Sequence, residues 1–308
     1  MKNEGDENML SLQIEIFLLM LAGYIMAKKN YLSKQTRTQL TNIVLMVILP
    51  CAIIKSFQVD IEVQLLKSCF FILLISFSIQ LLYGLFNHIF FKKMDEDKRI
   101  CCQYGIMVSN AGFMGMPVAQ AIFGSMGLLY ASIFLIPQRI FMWSAGLSLF
   151  AKKKSQNVFK QVLTHPCIVA IYIGVIVMIL QHFKIMLPDA VNNTLSAIAS
   201  CNTALSMFVI GGILSEVDKA SFLDKDAVIY SFYRLILLPL IILIIVRIIH
   251  IDLLPANLCV LLSAMPAAST TAMLAQKYNG NAIFASKLVF VSTLLSLITL
   301  PIITLLFS

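Results

Sequence analysis

Apolar runs of about twenty residues, the length that spans a hydrocarbon core, alternate with short polar or basic stretches along the whole chain. They predict helices at 9–28, 38–57, 65–91, 101–123, 127–151, 164–182, 191–214, 228–249, 256–277 and 283–306. Two of these spans break the pattern. Span 4 contains Val108-Ser-Asn-Ala-Gly-Phe-Met-Gly-Met-Pro117, with two glycines, an asparagine and a proline where an unbroken helix wants none. Span 9 contains Ser263-Ala-Met-Pro-Ala-Ala-Ser-Thr-Thr271. Backbone freed from helical bonding inside a membrane is tolerated where protein buries it or where it lines a watery cavity, so a broken span marks a place where something polar binds or passes.

Composition agrees with the pattern: 59% of the 308 residues are hydrophobic and 12% charged, where a soluble domain carries about 25% charged residues. The net charge of +8 does not point to nucleic acid, because the basic residues sit in short clusters between spans. One face receives sixteen of them, including Lys28, Lys29, Lys92, Lys93 and Lys152 to Lys154, and the other face five. The positive-inside rule then predicts a multi-pass protein of the cytoplasmic membrane with both termini outside. Lys2–Glu7 is net acidic, and the apolar run behind it is too long for the core of a cleaved signal peptide. The seven cysteines fall within or at the ends of apolar segments with no CxxC, and read as small buried hydrophobes.

The longest linker follows span 5 and divides the chain into a first five-helix repeat (1–151), a cytoplasmic linker (152–163) and a second five-helix repeat (164–308). Five is odd, so if the halves are structural repeats the second enters the membrane inverted. Matching Phe123-Gly124 with Asn279-Gly280 places Asn110 opposite Pro266 and makes the two breaks overlap in depth.

Asn110-Ala-Gly-Phe-Met-Gly-Met-Pro117 with Phe123-Gly124, Met265-Pro266 with Leu274-Ala-Gln-Lys-Tyr278, and the ending Ser292-Thr-Leu-Leu-Ser-Leu-Ile-Thr-Leu-Pro301 resemble the auxin efflux carrier family of plant PIN carriers and bacterial organic-acid permeases. The resemblance covers the whole length. It implies an all-α polytopic membrane protein of ten transmembrane helices, an inverted 5+5 repeat with broken, crossing helices 4 and 9, and a substrate site at the crossing. It also implies a scaffold of helices 1, 2, 6 and 7 against which the rest moves, with small organic anions as substrates. The short central loop departs from the plant carriers and has no counterpart to their long regulatory one.

Asn110 leads the candidate substrate-binding residues: its carboxamide either hydrogen-bonds a carboxylate or satisfies backbone freed by the break. Gly112 and Pro117 shape that break, and a second half-helix starting near Pro117 would point its positive end at the anion. Pro266, Ser269 and Thr270 would supply the mirror-related end, although each hydroxyl has an alternative bond within its own helix. Arg139 lies mid-span, where a charge costs about 2.5–3.5 kcal/mol even on the lenient insertion scale, so it needs a partner. The choices are substrate, exposed carbonyls, or Glu15, the one acid well inside a span. Gln138, Asn42 and Asn202 are further cavity candidates whose ordinary role is an interhelical hydrogen bond. Arg234 is placed near the cytoplasmic end of span 8, where it would snorkel.

The four histidines form no HExxH, the glycines lack the GK[ST] of a phosphate loop, and no paired acids lie in a span. These absences predict no catalytic residues, no metal and no cofactor. The reading is a secondary transporter of a small organic anion such as a dicarboxylate or auxin-like acid, working by alternating access. Its partners are that anion and the lipid bilayer, a homodimer is compatible, and nucleic acid is excluded. The rivals are a sodium- or proton-coupled anion symporter of related fold, a membrane-embedded enzyme and a receptor.

Overall fold

The structure, a computed structural model, describes residues 2–150, 158–215, 224–249 and 251–307, so Met1, residue 151, residues 152–157 of the expected linker, residues 216–223, residue 250 and Ser308 lie outside the described residues. Among the described residues there is no strand, only one isolated bridge. In chain order the helices are α1 (Lys2–Lys28), α2 (Lys34–Ser56), α3 (Val63–Ile89), α4 (Glu96–Met107), α5 (Ala111–Phe150) and α6 (Val158–Leu163). They continue with α7 (Pro166–His182), α8 (Asp189–Leu214), α9 (Lys225–Ile248), α10 (Leu253–Ser263), α11 (Thr270–Lys277) and α12 (Ala282–Leu305). Among the described residues each stretch expected to be helical is mostly so, spans 4 and 9 being interrupted. On length and composition alone, six of these runs are long and apolar enough to cross a membrane: α2, α3, α5, α8, α9 and α12.

Span 4 and span 9 are each divided, into α4 with the start of α5 and into α10 with α11. Spans 4 and 5 run on without a loop through Gly124, whose φ of 65° only glycine adopts freely and which kinks the run. The end of the expected linker differs too, since Val158–Leu163 is helical.

Prolines explain three of the four places where the described helices widen; the fourth, Met142–Gly146, has no proline two residues on. Three π-turns, Val44–Ile48, Ala111–Gly115 and Tyr233–Leu237, each end two residues before a proline: Pro50, Pro117 and Pro239. A proline has no N–H for the carbonyl four residues back, and its ring collides with that carbonyl. The carbonyls concerned, at Met46, Phe113 and Leu235, all fall in the middle of a π-turn. The wider turn gives the ring room.

The chain forms two compact units. The first comprises residues 1–70, 113–133 and 163–216, and so holds α1, α2, α7 and α8 with part of α5. Within it α1 and α8 approach closely at Gly23 and Gly211. A Cβ on Gly23 would strike the Phe208 carbonyl, and one on Gly211 the Met20 carbonyl. Small residues that let backbones meet are the usual means of helix association in lipid. The second unit comprises residues 71–112, 134–162 and 217–308. It contains α4, α9, α10, α11 and α12, most of α3 and the end of α5.

Candidate functional site

In the second unit the two breaks meet. α4 ends where Val108 turns extended, with φ −122° and ψ 100°. α10 ends at Ser263, before Met265, which a following proline disfavours in the helical region. The extended segments then pair: the Asn110 N–H donates to the Pro266 carbonyl at 2.7 Å, the Ala268 N–H to the Val108 carbonyl at 3.3 Å, and Ser109 lies antiparallel to Ala267. Backbone that left two helices thus finds partners in itself.

Three side chains brace the crossing from neighbouring helices. The Gln138 amide of α5 donates to the Ser109 carbonyl at 2.9 Å, and the Ser109 hydroxyl donates back to Gln138 Oε1 at 3.1 Å. Ser292 of α12 accepts the Ala267 N–H at 3.2 Å. Arg234 of α9 donates from Nε to the Met265 carbonyl at 3.0 Å and from Nη1 to the Ile106 carbonyl at 3.2 Å, with Tyr83 of α3 5.0 Å below the guanidinium. Only 1% of Arg234 is exposed. It does not snorkel: hydropathy cannot tell which way a side chain points, and this one turns inward to carbonyls that both breaks leave unbonded. The residue sits in the π-turn before Pro239, and that proline five positions on was the available signal. Ser109, Ser292 and Tyr83 had no signal of their own.

Asn110 is half-buried at the start of α5. Its main chain is tied to Pro266, but its carboxamide bonds no protein group among the described residues. A Cβ built on neighbouring Gly112 would meet nothing within 4 Å, so open space lies beside the break. The helical run begins at Ala111, six residues earlier than expected from Pro117, so Asn110 directly precedes the first turn. The first N–H groups of a helix have no partner within it and carry its positive end. Across the crossing α11 starts at Thr270, after an exposed Ser269 whose side chain caps nothing. Pro266 is buried and gives up its carbonyl to Asn110.

The Thr270 hydroxyl accepts from Tyr104 at 3.1 Å, on the wall of a cavity of about 440 Å³ also lined by Met142, Trp143, Leu274 and Lys277. That volume suits a small ligand, and the lining is mainly apolar, with the Lys277 ammonium, the Gln276 carboxamide and the Tyr104 and Thr270 hydroxyls as its polar groups. Arg139 is buried in the second unit, whereas Glu15 lies exposed on α1. Gln138, with both amide atoms on Ser109, braces the crossing.

The remaining candidates belong to the first unit. Asn202 of α8 is wholly buried and donates to Gln120 of α5 at 2.9 Å, and Thr203 donates to the Pro117 carbonyl at 3.4 Å. Gln120 was not singled out from the sequence. Asn42 is exposed on α2.

The chain is 25% identical over 294 residues to an uncharacterized transporter of Methanothermobacter thermautotrophicus, covering 94% of this chain and 95% of that protein. It is 27% identical over 299 residues to an uncharacterized transporter of Methanocaldococcus jannaschii, covering 92% and 94%. To the uncharacterized transporter YfdV of Escherichia coli K12 it is 24% identical over 290 residues, covering 86% and 87%. The pattern of the family described as membrane transport protein matches residues 9–162 and 155–304. The chain is therefore a multi-pass member of the membrane transport protein family, the auxin efflux carrier-like family its motifs resemble.

Proposed function

We propose that the protein is a secondary transporter that moves a small organic anion, a carboxylate, across the cytoplasmic membrane by alternating access. Ten transmembrane helices in two inverted halves carry it, with both termini outside. The observation behind this reading is the half-buried Asn110 carboxamide, free of protein partners among the described residues, beside open space at Gly112 and against the first turn of α5. A carboxylate there would accept from the carboxamide and from helix N-terminal N–H groups, which favour negative charge. The cavity walled by Thr270, at the start of α11, offers a mainly apolar surface for the rest of the molecule. The grouping of α1, α2, α7 and α8 suits a scaffold, and the unit holding the crossing suits the moving part.

Vesicles loaded with protein should take up labelled malonate, benzoate or indole-3-acetate unchanged. Recovery of a chemically altered product would replace the transporter with an enzyme, and no uptake of any acid would remove the carboxylate.

Orientation has its own test. In a Cys201→Ser background, Tyr31→Cys beside the Lys28-Lys29 pair should react with an impermeant maleimide from the cytoplasmic side, and Phe183→Cys from outside. Both positions are exposed, at 71% and 69%. Reversed labelling would turn the topology over.

A further inference from the structure

We propose that Arg234 sets the sign of charge at the crossing and thereby its preference for anions over cations; this rests on the reading of the crossing as the anion site. Four half-helix ends converge there. The C-terminal ends of α4 and α10 each carry about −0.5 charge, and the N-terminal ends of α5 and α11 about +0.5 each. Left alone, the four ends sum to about zero, and the free carbonyls would suit a cation as well as the free N–H groups suit an anion.

Arg234 breaks that balance on one side only. Its two bonds go to the carbonyl of Ile106, in the last turn of α4, and to that of Met265, two residues past the end of α10. One full positive charge therefore covers two half negative ones, and both carbonyl ends are occupied. No carboxylate pairs with Arg234 among the described residues, so its charge is met by those helix ends and the Tyr83 ring. The N-terminal ends of α5 and α11 are left with about one net positive charge between them.

Two observations point to a ligand on that side. The Thr271 hydroxyl, in the first turn of α11, is fully buried and has no hydrogen-bond partner among the described residues. The space beside Gly112, in the first turn of α5, is open. Sequence puts Arg234 in place: Pro239 widens the turn Tyr233–Leu237 in which the residue sits.

The experiment compares Arg234→Gln with Arg234→Lys in detergent. Melting temperature is followed against malonate, benzoate and indole-3-acetate, and separately on exchanging choline for sodium at constant chloride. Lysine keeps the charge and gives up the planar fork. Arg234→Gln should lose affinity for the acid by on the order of tenfold or more, and Arg234→Lys should keep most of it. If none of the acids stabilises the wild type, the anion reading fails, and the sodium arm decides the charge assignment. Sodium should then stabilise Arg234→Gln alone, and a variant indifferent to sodium overturns the proposal. Equal behaviour of the two variants, whether both bind as wild type does, both lose the acid or both fail to fold, also overturns it, because geometry rather than charge would then be what Arg234 supplies.

Discussion

Truncating Asn110 to alanine should weaken binding of the transported acid by roughly ten- to a hundredfold and leave the protein folded. The magnitude follows from losing one hydrogen bond to a charged group, about 1.5–3 kcal/mol. Folding should survive because the protein uses only the main chain of this residue: its N–H holds the Pro266 carbonyl at 2.7 Å, and alanine keeps that bond. Gln138 is the contrasting case. Its removal would strand the buried Ser109 carbonyl and hydroxyl at a cost of about 1–3 kcal/mol each, so stability should fall along with transport. Melting temperature without ligand, the acid-induced shift and initial uptake in vesicles separate the two. An Asn110→Ala protein with wild-type affinity would mean the carboxamide contacts no substrate, whereas a lowered melting temperature would return it to a structural role.

The contrast between these two residues also shows what was legible in the sequence. Hydropathy and the rhythm of basic loops located the long helical stretches, though not the short α6 in the expected linker, because burial in lipid demands long apolar runs and little else satisfies that demand. The crossing could be anticipated too. Matching the ends of the broken spans set Asn110 against Pro266, and those residues share a hydrogen bond. Gly124 and Asn279, both within the matched dipeptides, have positive φ, 65° and 56°.

Direction was not legible. Gln138 and Asn110 look alike as polar residues in apolar runs, yet one is fully engaged with Ser109 and the other bonds nothing through its side chain among the described residues. Arg234 was misplaced for the same reason: periodicity gives a position along a helix, and only packing decides whether a cation turns to water or to carbonyls. Small braces such as Ser109 and Ser292 are silent in any hydropathy scale. Their importance comes from which unbonded backbone group they happen to face.

Replacing Pro117 with alanine should nearly abolish transport without destabilising the protein. Alanine restores an N–H that can bond the Phe113 carbonyl, and it relieves a residue type that costs about 3 kcal/mol in a helix interior. The first turn of α5 can then close from π to α geometry. Closing it takes one residue out of the wide turn Ala111–Gly115 and rotates whatever precedes it by about 100°. What precedes it is Asn110, whose carboxamide would swing away from the open side of Gly112 and whose N–H would leave the Pro266 carbonyl. The helix gains a bond while the crossing loses its geometry, so stability and activity should move in opposite directions. Uptake in vesicles should drop more than tenfold, with the melting temperature equal to or above that of the wild type. Pro50→Ala is the control, since it tightens the same kind of turn in α2, a helix that supplies no residue to the crossing, and should spare most of the uptake. Wild-type uptake by Pro117→Ala would show that the wide turn is an accident of packing, and that the anion does not depend on where this turn holds Asn110.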